Sequence, residues 1–337
     1  MLLAVASLAL GIVYALIPVI VDNPFLVYFS VFMSGIAGSF FVPLLAALAL
    51  SLTGYEGFDH MMGVNQGWNH AGNIAAALLA LLLVNLLGIE SIFYVMALVS
   101  FLAAISVYII RSDELNPDLT QEKGNKKSDS GNESFSLLLT HLAGLLKENR
   151  IRVLILCVML FHFANAPIMP LVGLYLKHLG GGDGQIAWVV LVAQVVMIPV
   201  ALIAAKYCQS RGRKWVFSIA FLVLPLRIFL YSLTTNPYLL LAIQALDGIG
   251  AGIYGVVICL MCGDLTRGKV GFNTLLATMQ TALALGGVLG PIMQGFLTQY
   301  LNFRITFLSF AAIAGLGALL FITKMPETKD KMFEKKS

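Results

Sequence analysis

The sequence predicts an all-α membrane protein with ten transmembrane helices in two pseudo-repeated bundles, four helices followed by six. Three observations predict it. Hydrophobic residues make up 59% of the 337 and charged residues only 11%, with a mean hydropathy of +0.89. So few charges cannot cover that much apolar surface in water, so most of the surface must face lipid. Apolar stretches of about 20 residues, enough to cross a bilayer as a helix, recur ten times, without the alternation of barrel strands. The chain also repeats itself across an offset of about 213 residues. Ser34-Gly35-Ile36 falls on Asp247-Gly248-Ile249, Phe41 on Tyr254, and Ser51-Leu52-Thr53 on Asp264-Leu265-Thr266, without a gap.

The first four spans lie near 2–20, 26–50, 66–86 and 90–110, and make an N-terminal bundle over residues 1–110. Leu52–Val64 reads as a connection carrying Glu56 and Asp59. Arg111 to about Asn132 is the one long hydrophilic interval and is too polar to fold alone, so it is expected to be a flexible linker. Phe135–Leu146 spaces its leucines helically, as a short helix lying on the inner membrane surface would, and the linker region closes at residue 150. Six further spans near 151–176, 185–205, 215–234, 238–262, 272–297 and 303–323 form the C-terminal bundle, followed by a tail over 324–337.

Lysine and arginine set the orientation. Of the 21, 18 fall between Arg111 and Arg152, between Lys206 and Lys214, at Arg267 and Lys269, or in the tail from Lys324. That bias places these segments and both termini in the cytoplasm, with the protein in the cytoplasmic (inner) membrane. The net charge of +4 then reflects membrane orientation, and nucleic acid is not an expected partner. The segment after Met1 has no basic start and runs straight into a span, so no cleavable leader is expected. Cys157, Cys208, Cys259 and Cys262 sit in spans or at inner ends and are expected to be free thiols. The Cys259-x-x-Cys262 spacing reads as small apolar packing, with no ligand partners nearby in sequence.

Repeated helical hairpins in a hydrophobic chain are the pattern of secondary transporters built from two related halves. By the same offset, residues 151–214 would find their partners ahead of Met1, so the first helix pair of the first half is expected to be absent from this chain. No HExxH, no Walker glycine loop and no paired-Asp motif occurs, which argues against a membrane enzyme and an ATP-driven pump. No cofactor or metal is expected.

Four features carry a family resemblance: the Gly-studded span from Gln244 through Gly248, Gly250 and Gly252 to Gly255; its fainter copy Phe32–Gly38; the basic loop Ala205–Lys214; and the ending Lys324-Met325-Pro326-Glu327-Thr328. On these the chain resembles the major facilitator superfamily, with its spans matching helices three to twelve of the usual twelve. The resemblance implies a central cavity lined by 26–50, 151–176 and 238–262. It also implies a gating loop at Gly212, Arg213 and Lys214, which keep the end of the family's loop signature, whereas Ala205, Gln209 and Ser210 depart from its start. The run Gly286–Gly295 with Pro291 resembles the Gly-Pro signature of family antiporters, and close helix packing explains it equally well.

Charge inside a bilayer is the sharpest physical signal, at a cost of about 2.5–3.5 kcal/mol per residue on insertion scales. Asp247 is read as the one acid well inside a span, with Gln244 and Tyr254 on its face. Two readings stand: a proton-coupling carboxylate, or a structural ion pair with Arg227, the one basic residue deep in a span. His162 and Asn165 lie one turn apart ahead of Pro167 and Pro170, which are expected to bend that helix, and are candidate substrate contacts. Ser34, the repeat counterpart of Asp247, is the first-half candidate. The amide-rich run Asn65–Asn73 is expected chiefly to hold neighbouring helices together.

The function implied is proton-coupled movement of a small organic solute across the membrane by alternating access, with drug-type efflux as the substrate class considered. Its partners are the substrate, a proton or other coupling ion, and the lipid bilayer. The alternative is a non-transporting remnant or scaffold that needs a partner chain.

Overall fold

In a computed structural model, residues 2–110, 116, 140, 143–181, 183–267 and 271–329 are described, and all regular structure among them is helical. Eleven longer helices follow in order: α1 (Leu2–Leu16), α2 (Pro24–Ser39), α3 (Phe41–Leu87), α4 (Glu90–Ile109), α5 (Asn149–Asn165), α6 (Ile168–His178), α7 (Asp183–Arg211), α8 (Arg213–Tyr231), α9 (Pro237–Thr266), α10 (Phe272–Tyr300) and α11 (Phe303–Lys324). Element ends follow the repeat. Pro24 and Pro237, Leu87 and Tyr300, and Glu90 and Phe303 each stand 213 residues apart. The start signal repeats as well. Asn23 Oδ1 accepts from the Leu26 N–H at 3.3 Å and Asn236 Oδ1 from the Tyr238 N–H at 2.9 Å, each just ahead of a proline that has no N–H to satisfy.

Nine helical stretches among the described residues are long and apolar enough to cross a membrane, because α2 and α3 join into one stretch from Pro24 to Val84. This corrects the expected connection at Leu52–Val64, which is helical on both sides of Gly54. There φ is +61° and ψ −178°, a conformation open to glycine, so one residue redirects the chain where a loop was expected. The span expected at 151–176 is two helices, α5 and α6, meeting at Ala166–Pro167. Pro167 and Pro170 lack the N–H that would continue the ladder. The predicted linker at Arg111–Asn132 (Asn116 apart), residues 135–139 and 141–142 of the predicted surface helix, Lys269 and residues 330–337 of the tail lie outside the described residues. Residues 143–147 are helical.

Chain contacts divide into two units. The first comprises Met1–Gly54 and Gly72–Gln121. In it α1 packs on α4 and α2, and Gly11 lies against α4, where a β-carbon would fall 3.3 Å from the Ala97 carbonyl oxygen. The second comprises Tyr55–Ala71 and Glu122–Ser337, so the middle part of α3 groups with the later helices. Its centre is α9. There 72% of the apolar window is buried, against at most 44% for any other spanning stretch, so α9 contacts protein on nearly every side. Gly248 and Gly252 let α7 approach it; a β-carbon on Gly248 would sit 2.5 Å from Val196 Cβ. On the other side of the unit α10 packs against α5 and α11 against α8, over a core that includes Phe217, Phe221, Phe307, Phe310 and Phe321.

Candidate functional site

Two polar clusters interrupt the apolar interior of the second unit. The deeper one is assembled from α5, α8 and α9. Arg227 (α8) makes an ion pair with Asp247 (α9), Nη1 to Oδ1, and its Nη2 donates to Asn165 Oδ1 (α5) at 2.6 Å. Gln244, one turn before Asp247, donates from Nε2 to Asp247 Oδ2 at 3.1 Å, and its own Oε1 accepts from the Tyr231 hydroxyl. Arg227 is 2% exposed, Asp247 7% and Gln244 0%, so water takes little part in neutralising them. Charges so buried persist only when paired and hydrogen-bonded, and here both carboxylate oxygens have a donor. The Arg227 Nε–H finds no partner among the described residues.

His162 lies one turn before Asn165 but faces a different group. Its ring meets Tyr254 edge-on at 4.7 Å and Phe161 at 5.7 Å, and Tyr254 stacks on Phe161 at 5.2 Å. His162 Nε2 is buried with no hydrogen-bond partner among the described residues. Thus the six residues named from the sequence divide into two groups on α5, α8 and α9: Asn165, Arg227, Gln244 and Asp247 in the charged cluster, His162 and Tyr254 in the aromatic one. The Asn165 arm closes on the ion pair and the His162 arm on an aromatic stack. Ser34 belongs to the first unit, where its hydroxyl donates to the Val31 carbonyl at 2.8 Å within its own helix.

The second cluster stands at the start of α8, directly after Gly212. Gly212 has φ +92°, and a β-carbon on it would run into the Glu327 carboxylate. Arg213 extends into a closed cage. Its Nη1 and Nη2 grip Asp59 Oδ2 and Oδ1, each at 2.8 Å, its Nε reaches Asp264 Oδ2 at 2.8 Å, and Nη1 also donates to the Cys208 carbonyl at 2.8 Å. This is the bidentate fork that a guanidinium can make and an ammonium cannot. Glu327, from the segment after α11, accepts the backbone N–H groups of Arg213 (2.8 Å), Lys214 (3.0 Å), Thr328 (2.9 Å) and Lys329 (3.0 Å). Thr328 donates to Asp264 Oδ2 at 3.2 Å. One guanidinium thus holds two carboxylates, Asp59 and Asp264, while Glu327 is held by four backbone N–H groups, and the cage ties α3, α8, α9 and the tail together.

Sequence reasoning named Arg213 but missed Asp59 and Asp264 as its partners. Asp59 falls in the stretch read as a connection and Asp264 just past the end of a span, places where an acid is unremarkable, and they lie 154 and 51 residues from Arg213. The available signal was the loop's own departure from its signature: with Gln209 and Ser210 where an Asp-Arg pair is expected, Arg213 had to find acids elsewhere. The run Asn65–Asn73 lies mid-helix in α3. His70 Nδ1 lies 2.9 Å from Gln194 Oε1 of α7, and Gln66 lies against Gly255 of α9, where a β-carbon would come within 3.0 Å of its amide. The four cysteines are buried and unbridged.

Comparison with known proteins adds the following. The family described as Major Facilitator Superfamily matches residues 1–165 and 154–336. An uncharacterized MFS-type transporter of Mycobacterium tuberculosis, Rv2456c, is 35% identical over 301 residues, 88% of this chain and 71% of that protein. The multidrug resistance protein MdtG of Proteus mirabilis is 24% identical over 285 residues, 83% of this chain and 67% of that protein. Among solved structures, the human organic anion transporter MFSD10 superposes with a TM-score of 0.72 at 16% identity, covering 95% of this chain and 76% of that one. At that identity the likeness speaks for the fold.

Proposed function

We propose, on the premise that this chain belongs to the Major Facilitator Superfamily, whose members are integral membrane transporters and not enzymes, that it exports a small organic solute across the cytoplasmic membrane by alternating access and draws on a proton gradient. The relative named for multidrug resistance supports efflux as the direction. The bias of Lys and Arg to 18 of 21 in inner segments supports cytoplasmic termini.

The observation that carries the reading is the buried Arg227–Asp247 pair with its Asn165 and Gln244 partners. A proton taken up by Asp247 cancels the charge that holds Arg227. The freed guanidinium then needs another acceptor, which a substrate oxygen can supply. Proton and substrate are thereby linked through one side chain. In this proposal His162, Asn165, Gln244 and Tyr254 contact the substrate and Asp247 carries the proton, while Ser34 stays a separate candidate of the first unit. The Gly212-Arg213-Lys214 turn holds the inner side closed, because a carrier opening inward must part the cage that Arg213 makes with Asp59 and Asp264.

The test is uptake of lipophilic fluorescent dyes into proteoliposomes under an imposed pH gradient. Asp247→Asn is expected to abolish gradient-driven accumulation while keeping dye exchange at equal pH. Full gradient dependence in that variant would overturn the role of Asp247, and a wild-type protein that moves none of a broad dye panel would overturn efflux of this class.

A further inference from the structure

Outside the Arg213 cage, the inner end of α7 carries a concave notch of about 240 Å³, partly open to its surroundings. It is lined by His60 of α3 and by Leu202, Ala205, Lys206 and Gln209 of α7. The notch has a local cause. Gly63 presses α3 onto α7 so closely that a β-carbon there would fall 2.6 Å from Ala205 Cβ, and one turn earlier, at His60, the two helices leave space between them. The floor is apolar, from Leu202 and Ala205, and the rim carries hydrogen-bond donors: the Lys206 ammonium, the His60 ring and the Gln209 amide.

Lys206 makes no ion pair among the described residues; Asp59 and Asp264 are bound to Arg213, Glu327 accepts from four backbone N–H groups, and Glu56 stands exposed one turn before His60 on α3. A second ammonium is brought to the rim, because Lys329 Nζ donates to the Gln209 carbonyl at 2.6 Å. The depth of the notch is marked independently. Tyr207 and Trp215, both about half exposed, lie 6.3 Å apart, and the Arg211 guanidinium sits 5.9 Å over the Trp215 ring. Amphipathic aromatics of this kind belong at the level of lipid headgroups. Leu202 and Ile203, on the membrane side of this belt, are 44% and 52% exposed and offer a surface for an acyl chain.

We propose that this notch binds the phosphodiester headgroup of an anionic phospholipid from the inner leaflet, held by Lys206, His60 and Gln209, with a chain lying along Leu202. Because the headgroup would touch both α3 and α7, its binding favours the arrangement in which these helices meet.

The experiment is native mass spectrometry of the full chain in detergent, titrated separately with phosphatidylglycerol, phosphatidylcholine and inorganic phosphate. One phosphatidylglycerol is expected to be retained at a concentration at least about tenfold below that needed for phosphatidylcholine, two basic groups near the headgroup supplying that preference. Lys206→Gln is expected to weaken retention about fivefold, the worth of one lysine at an anionic surface, and Lys206→Glu to remove it. Arg304→Gln, at the outer end of α11, should change nothing. Lys206 is exposed, and thermal unfolding at the wild-type temperature confirms that the variants fold. Retention of phosphatidylglycerol unchanged in both Lys206→Glu and His60→Ala would overturn the site. Equal retention of phosphatidylcholine would make it ordinary boundary lipid, and displacement by inorganic phosphate at matching concentration would make it a soluble-anion site. Either result overturns the proposal.

Discussion

Replacing Arg227 by methionine strands Asp247 in a site where it is 7% exposed, with only the Gln244 amide left to face it. Removing one partner of a buried ion pair typically costs about 3–5 kcal/mol, since the remaining charge keeps its desolvation penalty and loses its counterion. Asp247→Leu should cost about the same, because Arg227 is 2% exposed and would retain only the Asn165 oxygen. The double replacement removes both charges. What it leaves unpaired is neutral: Asn165 Oδ1 loses its donor and Gln244 Nε2 its acceptor, at about 1 kcal/mol each. The double variant is therefore expected to lose only about 2 kcal/mol, at least about 4 kcal/mol less than the two single losses combined. Reversible unfolding in mixed micelles, titrated with a denaturing detergent, measures all four corners of the cycle. Losses that add to within about 0.5 kcal/mol would show that the two side chains act independently, and the paired-charge argument would fail.

Two adjacent glycines in α10 separate close packing from flexibility. A β-carbon on Gly286 would collide with the Met159 carbonyl and stand 2.7 Å from the Phe163 nitrogen, whereas Gly287 faces open space. Gly286→Ala should destabilise by about 1–3 kcal/mol and Gly287→Ala be neutral or gain up to about 1 kcal/mol; equal thermal shifts would sink the packing argument. At the inner cluster, Cys208 is fully buried and its carbonyl is held by Arg213, so a maleimide should label it slowly. Arg213→Gln leaves Asp59 and Asp264 facing each other unpaired and is expected to speed labelling of Cys208 severalfold, while Cys157, equally buried, stays slow. If both cysteines quicken together, the substitution has loosened the whole unit and Arg213 is no specific latch.

Much of the fold was legible in one dimension, for a reason visible in particular residues. A helix in lipid must satisfy every backbone group internally, so apolar length and cap chemistry suffice to place it. Asn23-Pro24 and Asn236-Pro237 start equivalent helices, and the helix break at Gly54 falls, by the repeat, at the place where α9 ends. The errors have local causes too. The stretch after Leu52 lies between two apolar windows and reads as a connection that carries Glu56 and Asp59, yet Asp59 is 6% exposed, bound to Arg213, and so compatible with helix.

Of the two polar clusters, the deep one showed both charges of its pair in the sequence, whereas the other showed Arg213 and its departing loop but not the partners. Arg227 and Asp247 announce themselves because a charge amid apolar neighbours has few ways to be tolerated, and the cheapest is the other charge. Asp59, Asp264 and Glu327 sit where acids are common, and nothing in their neighbourhoods marks them as partners of Arg213. Segment by segment, polarity decides which stretches enter the bilayer and which charges need an answer. Which carboxylate answers, which glycine admits a neighbouring helix, and whether His162 meets Asn165's partner or Tyr254's ring depend on distances between helices far apart in sequence. Those distances are set only when the helices close on one another.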